Sequence, residues 1–149
     1  MALPGKKHVT HCAIAYALDI FGDRWSLLIV RDLLLRGNRT YGEFLESGEG
    51  IATNVLADRL KGLEASRIIV KAPDPDNGRR NLYKLTGKGL DLAPLVLEII
   101  RWSARHDPAS SASKDTLARI ESDRDGMISE LRDGQLPDNP ATNMSRDLT

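Results

Sequence analysis

Cys12 is the chain's one thiol. His11 stands directly before it and His8 lies a few positions earlier. A protonated His11 would lower the thiol pKa and sharpen Cys12 as a nucleophile toward oxidants. The alternative is a small apolar side chain packed at an interface. The three residues make a poor structural metal site, which needs a fuller ligand set at fixed spacing. Gly87-Lys88-Gly89 is too short for a phosphate loop. With no nucleophile–base pair either, the sequence predicts no enzyme, cofactor or metal. Hydrogen-bonding side chains carry a different chemistry. Thr53, Asn54, Ala57, Asp58 and Lys61 recur at helical spacing. Asn suits the adenine edge, Lys suits guanine or phosphate, and Asp suits cytosine, or else it orients the neighbouring Arg59. Asn77, Gly78, Arg79 and Arg80 put two guanidinium groups beside a turn, where they suit a narrow groove and its phosphates. The plain alternative for both groups is a solvated surface. Arg59 has two open readings, phosphate contact and internal pairing.

These residues need elements to position them. Ile14, Ala17, Leu18 and Phe21 recur at helical spacing, and Gly22-Asp23 ends that run. Asp23 is placed to cap the nearly all-apolar segment from Trp25 to Leu35, which reads as a central helix. Thr40-Tyr41-Gly42-Glu43 has capping-box spacing and predicts a short helix through Leu45. Its N-terminus, with Arg39, Thr40 and Tyr41, suits phosphate. Ser47 to Gly50 is a turn. A helix over about 52–65 follows, with Leu56, Leu60 and Leu63 on one face and Asn54, Asp58 and Lys61 on the other. Arg67 to Lys71 and Asn81 to Leu85 read as strands around the turn-rich Pro73 to Gly78. Thr86 caps a helix over about Lys88 to Arg105, in which Pro94 predicts a kink or a late start. Trp25 and Trp102 are expected in the core.

The 149 residues suit one domain with an appendage. Formal net charge is zero, which excludes a globally basic polyanion binder. The charge is unevenly spread, however. Residues 1–106 hold 16 basic and 12 acidic side chains, and residues 107–149 hold 5 and 9, so the surplus able to meet a polyanion is N-terminal. No apolar run approaches the roughly 20 residues of a membrane span. The segment Met1 to Thr10 has no apolar stretch and does not read as a secretory signal. A cytoplasmic protein without membrane contact is expected. Residues 1–10 read as a flexible arm, 11–107 as the main domain, 108–133 as a helical extension and 134–149 as a disordered tail. The stripe from Leu117 to Leu131 needs a partner surface, either a second copy or the core itself.

A short helix, a glycine-containing turn, a second helix and a two-stranded hairpin form the order of a winged helix-turn-helix. The second helix of such a unit is the one to enter a major groove. Three segments resemble the HxlR-type, MarR-like winged-helix regulators. Gly22-Asp23-Arg24-Trp25-Ser26-Leu27-Leu28-Ile29 is similar to their Gly-x-Lys-Trp-x-x-x-Ile segment. Leu56-Ala57-Asp58-Arg59-Leu60-Lys61-Gly62-Leu63-Glu64 resembles their Leu-x-x-Arg-Leu-Lys-x-Leu-Glu recognition helix. Tyr83 to Gly89 resembles their Tyr-x-Leu-Thr-x-x-Gly junction. Ile51-Ala52 stands where the family usually has Ile-Ser, so the cap is lost or moved to Thr53. The resemblance covers about residues 11–107.

It implies a bacterial transcriptional regulator that dimerises through its N- and C-terminal helices and binds double-stranded DNA as a homodimer, with the recognition helix over about 52–65 in the major groove and the wing over 74–80 near the minor groove. A cysteine at the place of Cys12 senses oxidants or electrophiles in some relatives, so a small-molecule or oxidant effector is an open possibility. The expected fold is mainly α with a small β-hairpin wing (α+β). The expected function is that of a sequence-specific regulator, a repressor, on a pseudo-palindromic operator. The rival is a winged-helix protein-interaction module without DNA binding.

Overall fold

The computed structural model describes residues 11–134. Helices α1 (Ala13–Phe21), α2 (Ser26–Leu35), α3 (Tyr41–Leu45) and α4 (Thr53–Ala65) come first. An antiparallel hairpin of β1 (Ile69–Asp74) and β2 (Asn77–Leu85) follows. The chain then runs through α5 (Gly87–Leu90), α6 (Ala93–His106), α7 (Lys114–Ser122) and α8 (Arg124–Asp133). This is the mainly helical winged helix-turn-helix expected. The readings for residues 1–10 and 135–149 lie outside the described residues.

α2 is the axle of the fold. Ile29, Val30, Leu33, Leu34 and Leu35 are buried, and the helix meets α1, α4, α6, α8 and β2. Each fully buried side chain of this kind contributes about 1.5–3 kcal/mol relative to exposure, so this one helix holds the layers together. Asp23 starts it by accepting from the Trp25 and Ser26 amides at 2.9 and 3.0 Å. The helix therefore begins at Ser26, one residue later than the apolar run suggests.

α4 ends in a motif that carries its own strain. Arg67 has φ of 60°, a left-handed conformation that usually selects glycine. Its amide and that of Ile68 turn back to Glu64 and Leu63 and satisfy the last carbonyls of the helix. The wing then leaves at once through Ile68 and Ile69, both buried. Thr86 caps α5 by accepting from the Gly89 amide at 3.1 Å. A side chain at Gly89 would put its Cβ 2.3 Å from the Ile68 carbonyl oxygen, so the junction closes only around glycine. Pro94 lies in the first turn of α6, and the helix starts late rather than kinking.

Beyond α6, α7 and α8 meet at Asp123 and fold back. Ile120, Met127 and Leu131 join the same core as α2 and α4. Gly134, the C-cap of α8, is buried. Trp102 corrects a second expectation. It is 66% exposed on α6 and touches only the His106 ring among aromatic neighbours, whereas Trp25 is half-buried. Helical spacing placed Trp102 on an apolar face, and the described residues leave that face open. Among the described residues no helix is long and apolar enough to cross a membrane.

Candidate nucleic-acid interface

Thr40 builds the start of α3. Its side chain accepts from the Glu43 amide, and Glu43 reaches back to the Thr40 and Arg39 amides at 3.1 Å. The capping box is complete, which leaves few free amides for an anion at this end. Phe44 is buried and meets Tyr83 edge-on at 5.9 Å, while the Tyr83 amide donates to the Arg39 carbonyl at 2.8 Å. α3 is thus stitched to the wing. The Tyr41 hydroxyl donates to the Thr53 carbonyl at 2.8 Å and ties α3 to the first turn of α4.

The turn between these helices carries Gly48 and Gly50 at φ of 96° and 75°. Glu49 stands between them, and its charge is answered from α2. Arg31 donates to it at 2.8 Å and to Asp32 at 3.0 and 2.9 Å, and Arg36 holds the Ser47 carbonyl at 2.8 Å. The Arg31 bond pulls the Glu49 carboxyl below its ordinary pKa. Burial pushes Asp32 the other way, up, against the two arginines. The acidic turn is therefore a pinned structural piece whose charge is internally compensated.

α4 buries Leu56, Leu60 and Leu63 and turns Thr53, Asn54 and Lys61 to solvent, with Ala57 and Asp58 half-covered. Ala52 occupies its N-cap without a side-chain bond, so the usual cap is lost and not moved to Thr53. Arg59 lies 17% exposed between two carboxylates. Its Nε donates to Asp23 at 2.9 Å and its Nη1 to Asp58 at 2.7 Å. The internal pairing weighed from sequence is present. Burial would raise the Asp23 carboxyl, but the Ser26 hydroxyl, the two amides and the Arg59 charge together hold it below its ordinary value. No sequence pattern announces a pair 36 residues apart.

In the wing, the strands run closer to the tip than the turn-rich sequence suggests, leaving only Pro75 and Asp76 as the turn. Pairing steps from Pro73↔Asn81 to Asp74↔Asn77, so Gly78, Arg79 and Arg80 have no partner on β1. They stand out from the ladder. The Asn77 side chain accepts from the Arg79 amide, and Arg80 is held by Asp74 at 2.6 Å. The Arg79 guanidinium and the Lys61 ammonium have no ion pair among the described residues. Cys12 is exposed at the N-cap of α1, and its side chain makes no cap hydrogen bond to the helix. Among the described residues no cluster of ligands could hold a metal.

Comparison with known proteins agrees with this geometry. The sequence pattern of the HxlR-like helix-turn-helix family matches residues 20–111. The chain is 33% identical to sll1512 of Synechocystis sp., an uncharacterised HTH-type transcriptional regulator, over 86 residues. That match covers 58% of this chain and 63% of the relative. Among solved structures, PA1607, a proposed transcription factor, is 39% identical with a TM-score of 0.63. It covers 70% of this chain and 72% of its own. The reduced form of the transcriptional regulator YodB from Bacillus subtilis is 28% identical with a TM-score of 0.54, covering 67% of this chain and 99% of YodB. A helix-turn-helix with an outward-facing polar helix, a basic wing beside it and a family match across both place the chain in the HxlR-like helix-turn-helix family of transcriptional regulators.

Proposed function

We propose that this protein binds a pseudo-palindromic DNA operator as a homodimer and represses transcription by occupying it. The observation that carries the reading is the charge arrangement around α4. Glu49 and Asp58, carboxylates at its outer face, are each matched by an arginine, while Lys61 and Arg79 have no ion pair among the described residues. Asn54 and Lys61 would meet base edges in the major groove, flanked by Thr53 and Ala57. Arg79 and Arg80, steadied by Asn77, would meet phosphates near the minor groove. Arg39, Thr40 and Tyr41 would lie along the backbone.

Dimerisation is supported by apolar surface that the chain leaves open. α1 buries no residue and exposes Ile14, Tyr16 and Leu18, and α6 exposes Leu95, Ile99 and Trp102. In such a dimer the two copies of α4 would enter grooves one helical turn apart, ~34 Å. Regulation through Cys12 is part of this reading. The thiol is exposed at the start of the apolar helix, so its oxidation would act on the spacing of the two recognition helices. The solved relative YodB is described in a reduced form. A Cys12→Ser variant should keep its DNA through oxidant treatment that releases the wild type.

The direct test is fluorescence anisotropy against a duplex from upstream of the protein's own gene, with a scrambled duplex as control, at two salt concentrations. Tight, salt-sensitive binding to the first duplex alone is expected. Absence of binding to either at low salt would transfer the fold to protein–protein interaction.

A further inference from the structure

On the reading that α4 enters the major groove, we infer that Asp58 is a specificity-determining residue that selects cytosine in each half-site, held in place by Arg59. Taking about 100° per residue, Asp58 lies roughly opposite the Leu56, Leu60 and Leu63 ridge, within about 60° of Asn54 and Lys61. It therefore shares the outward face with the two side chains best suited to read bases. A bare carboxylate there would be repelled by phosphates. Arg59 removes that objection, since its Nη1 sits 2.7 Å from Asp58 Oδ2.

Arg59 is not free to take the base itself. Its Nε is fastened to Asp23 at 2.9 Å, and Asp23 is locked into the start of α2 by the Trp25 and Ser26 amides and the Ser26 hydroxyl. The pair is a braced arm reaching from the α1–α2 turn to the recognition face. It leaves Asp58 Oδ1 without a hydrogen bond among the described residues and the side chain 40% exposed.

An ionised carboxylate only accepts hydrogen bonds. In the major groove, donors come from the amino groups of cytosine and adenine. Adenine sets its acceptor N7 beside that amino group, which opposes a second negative atom. Guanine and thymine offer acceptors there. Cytosine, whose major-groove edge carries the N4 donor without a neighbouring acceptor, is the base that fits. Asp58 is thus a base-selecting residue and Arg59 and Asp23 are positioning residues.

The test begins with selection of binding sites from a random duplex pool by the full-length wild type. Anisotropy titrations on the selected duplex and its single-base-pair variants follow. The wild type should show one position per half-site where cytosine is preferred by roughly fivefold to a hundredfold. Asp58→Ala should flatten the preference at that position and leave the others unchanged, an effect that loss of fold cannot mimic. Arg59→Lys should weaken the same preference. Asp58→Asn, nearly isosteric, decides the matter if the alanine variant does not fold: it should admit adenine where cytosine was required. If the folded variants keep the wild-type preference at every position, the inference is overturned while DNA binding stands. If the wild type enriches no sequence, the DNA-binding reading itself fails.

Discussion

Arg79 and Arg80 are equivalent in the sequence and different in the fold. Arg80 is tethered to Asp74, whose carboxyl is held below its ordinary value by the Asp76 amide first and by Arg80 next. Arg79 offers its guanidinium to solvent. Removing one cation that neutralises a phosphate lowers the slope of log affinity against log salt by about 0.9. Arg79→Ala removes one such cation from each protomer of the proposed dimer, so it should reduce that slope by nearly two and weaken all duplexes alike, whereas Arg80→Ala should change it less. Anisotropy over a salt series reads both. Equal effects would show that the Asp74 tether has no bearing on DNA binding. The polar types on the outer face of α4 and at the wing tip were legible in the chain, because helical and turn spacing set their positions. Their partners were not. Asp74 and Arg80, or Asp23 and Arg59, meet only after the backbone has turned, and no local periodicity encodes that.

At the scale of elements, the signals that survived into the structure were local and steric. The Thr40 capping box, the Leu56 to Leu63 ridge and Pro94 in the first turn of α6 each act within a few residues, so their spacing alone places α3, α4 and α6. The strand ends were harder. Pro, Asp, Asn and Gly crowd the tip and read as loop, yet an edge hairpin tolerates them up to the last two residues. Two substitutions test the joints between elements. Gly89→Ala drives a methyl into the Ile68 carbonyl, which is backbone and cannot swing aside. It should cost about 1–3 kcal/mol or more and lower the urea midpoint. Arg67→Gly relieves a left-handed residue and should raise stability by about 0.5–1 kcal/mol. An unchanged urea midpoint for Gly89→Ala would mean that the junction can open without loss, against its geometry here.

At the scale of the whole molecule, the described residues leave apolar side chains of α1 and α6 exposed, Ile14, Leu18, Ile99 and Trp102 among them. Trp102 shows why the sequence misleads here: an apolar face says that something covers it, but not whether the cover belongs to the same chain. The pH dependence belongs to this scale too. Asp23 is held below its ordinary 3.8, so its stabilising contribution is complete above that value and is lost as pH falls through the lower folded one. Asp32 is raised and runs the other way, gaining from protonation. Urea midpoints should thus begin to fall below about pH 4, and Asp23→Asn should flatten the fall.

The sharpest expectation at this scale concerns α1. A helix of nine residues is too short to hold itself in water, and among the described residues this one has no fully buried side chain, with Ile20 packed partly against the core. In the proposed dimer a second copy would cover Ile14, Tyr16 and Leu18 and add to its order. Ile99→Glu lies on α6, 41% exposed and outside α1, so in a single chain it should leave α1 untouched. In the proposed dimer it places a charge in the interface. Three readings should change together: the sedimenting mass should halve, the far-UV helical signal should fall by about the share of α1, and the salt slope for operator binding should drop toward half. A variant that sediments as the wild type does and keeps its helical signal would remove α6 from the interface. One that becomes monomeric yet retains α1 would show that the helix is held by its own chain.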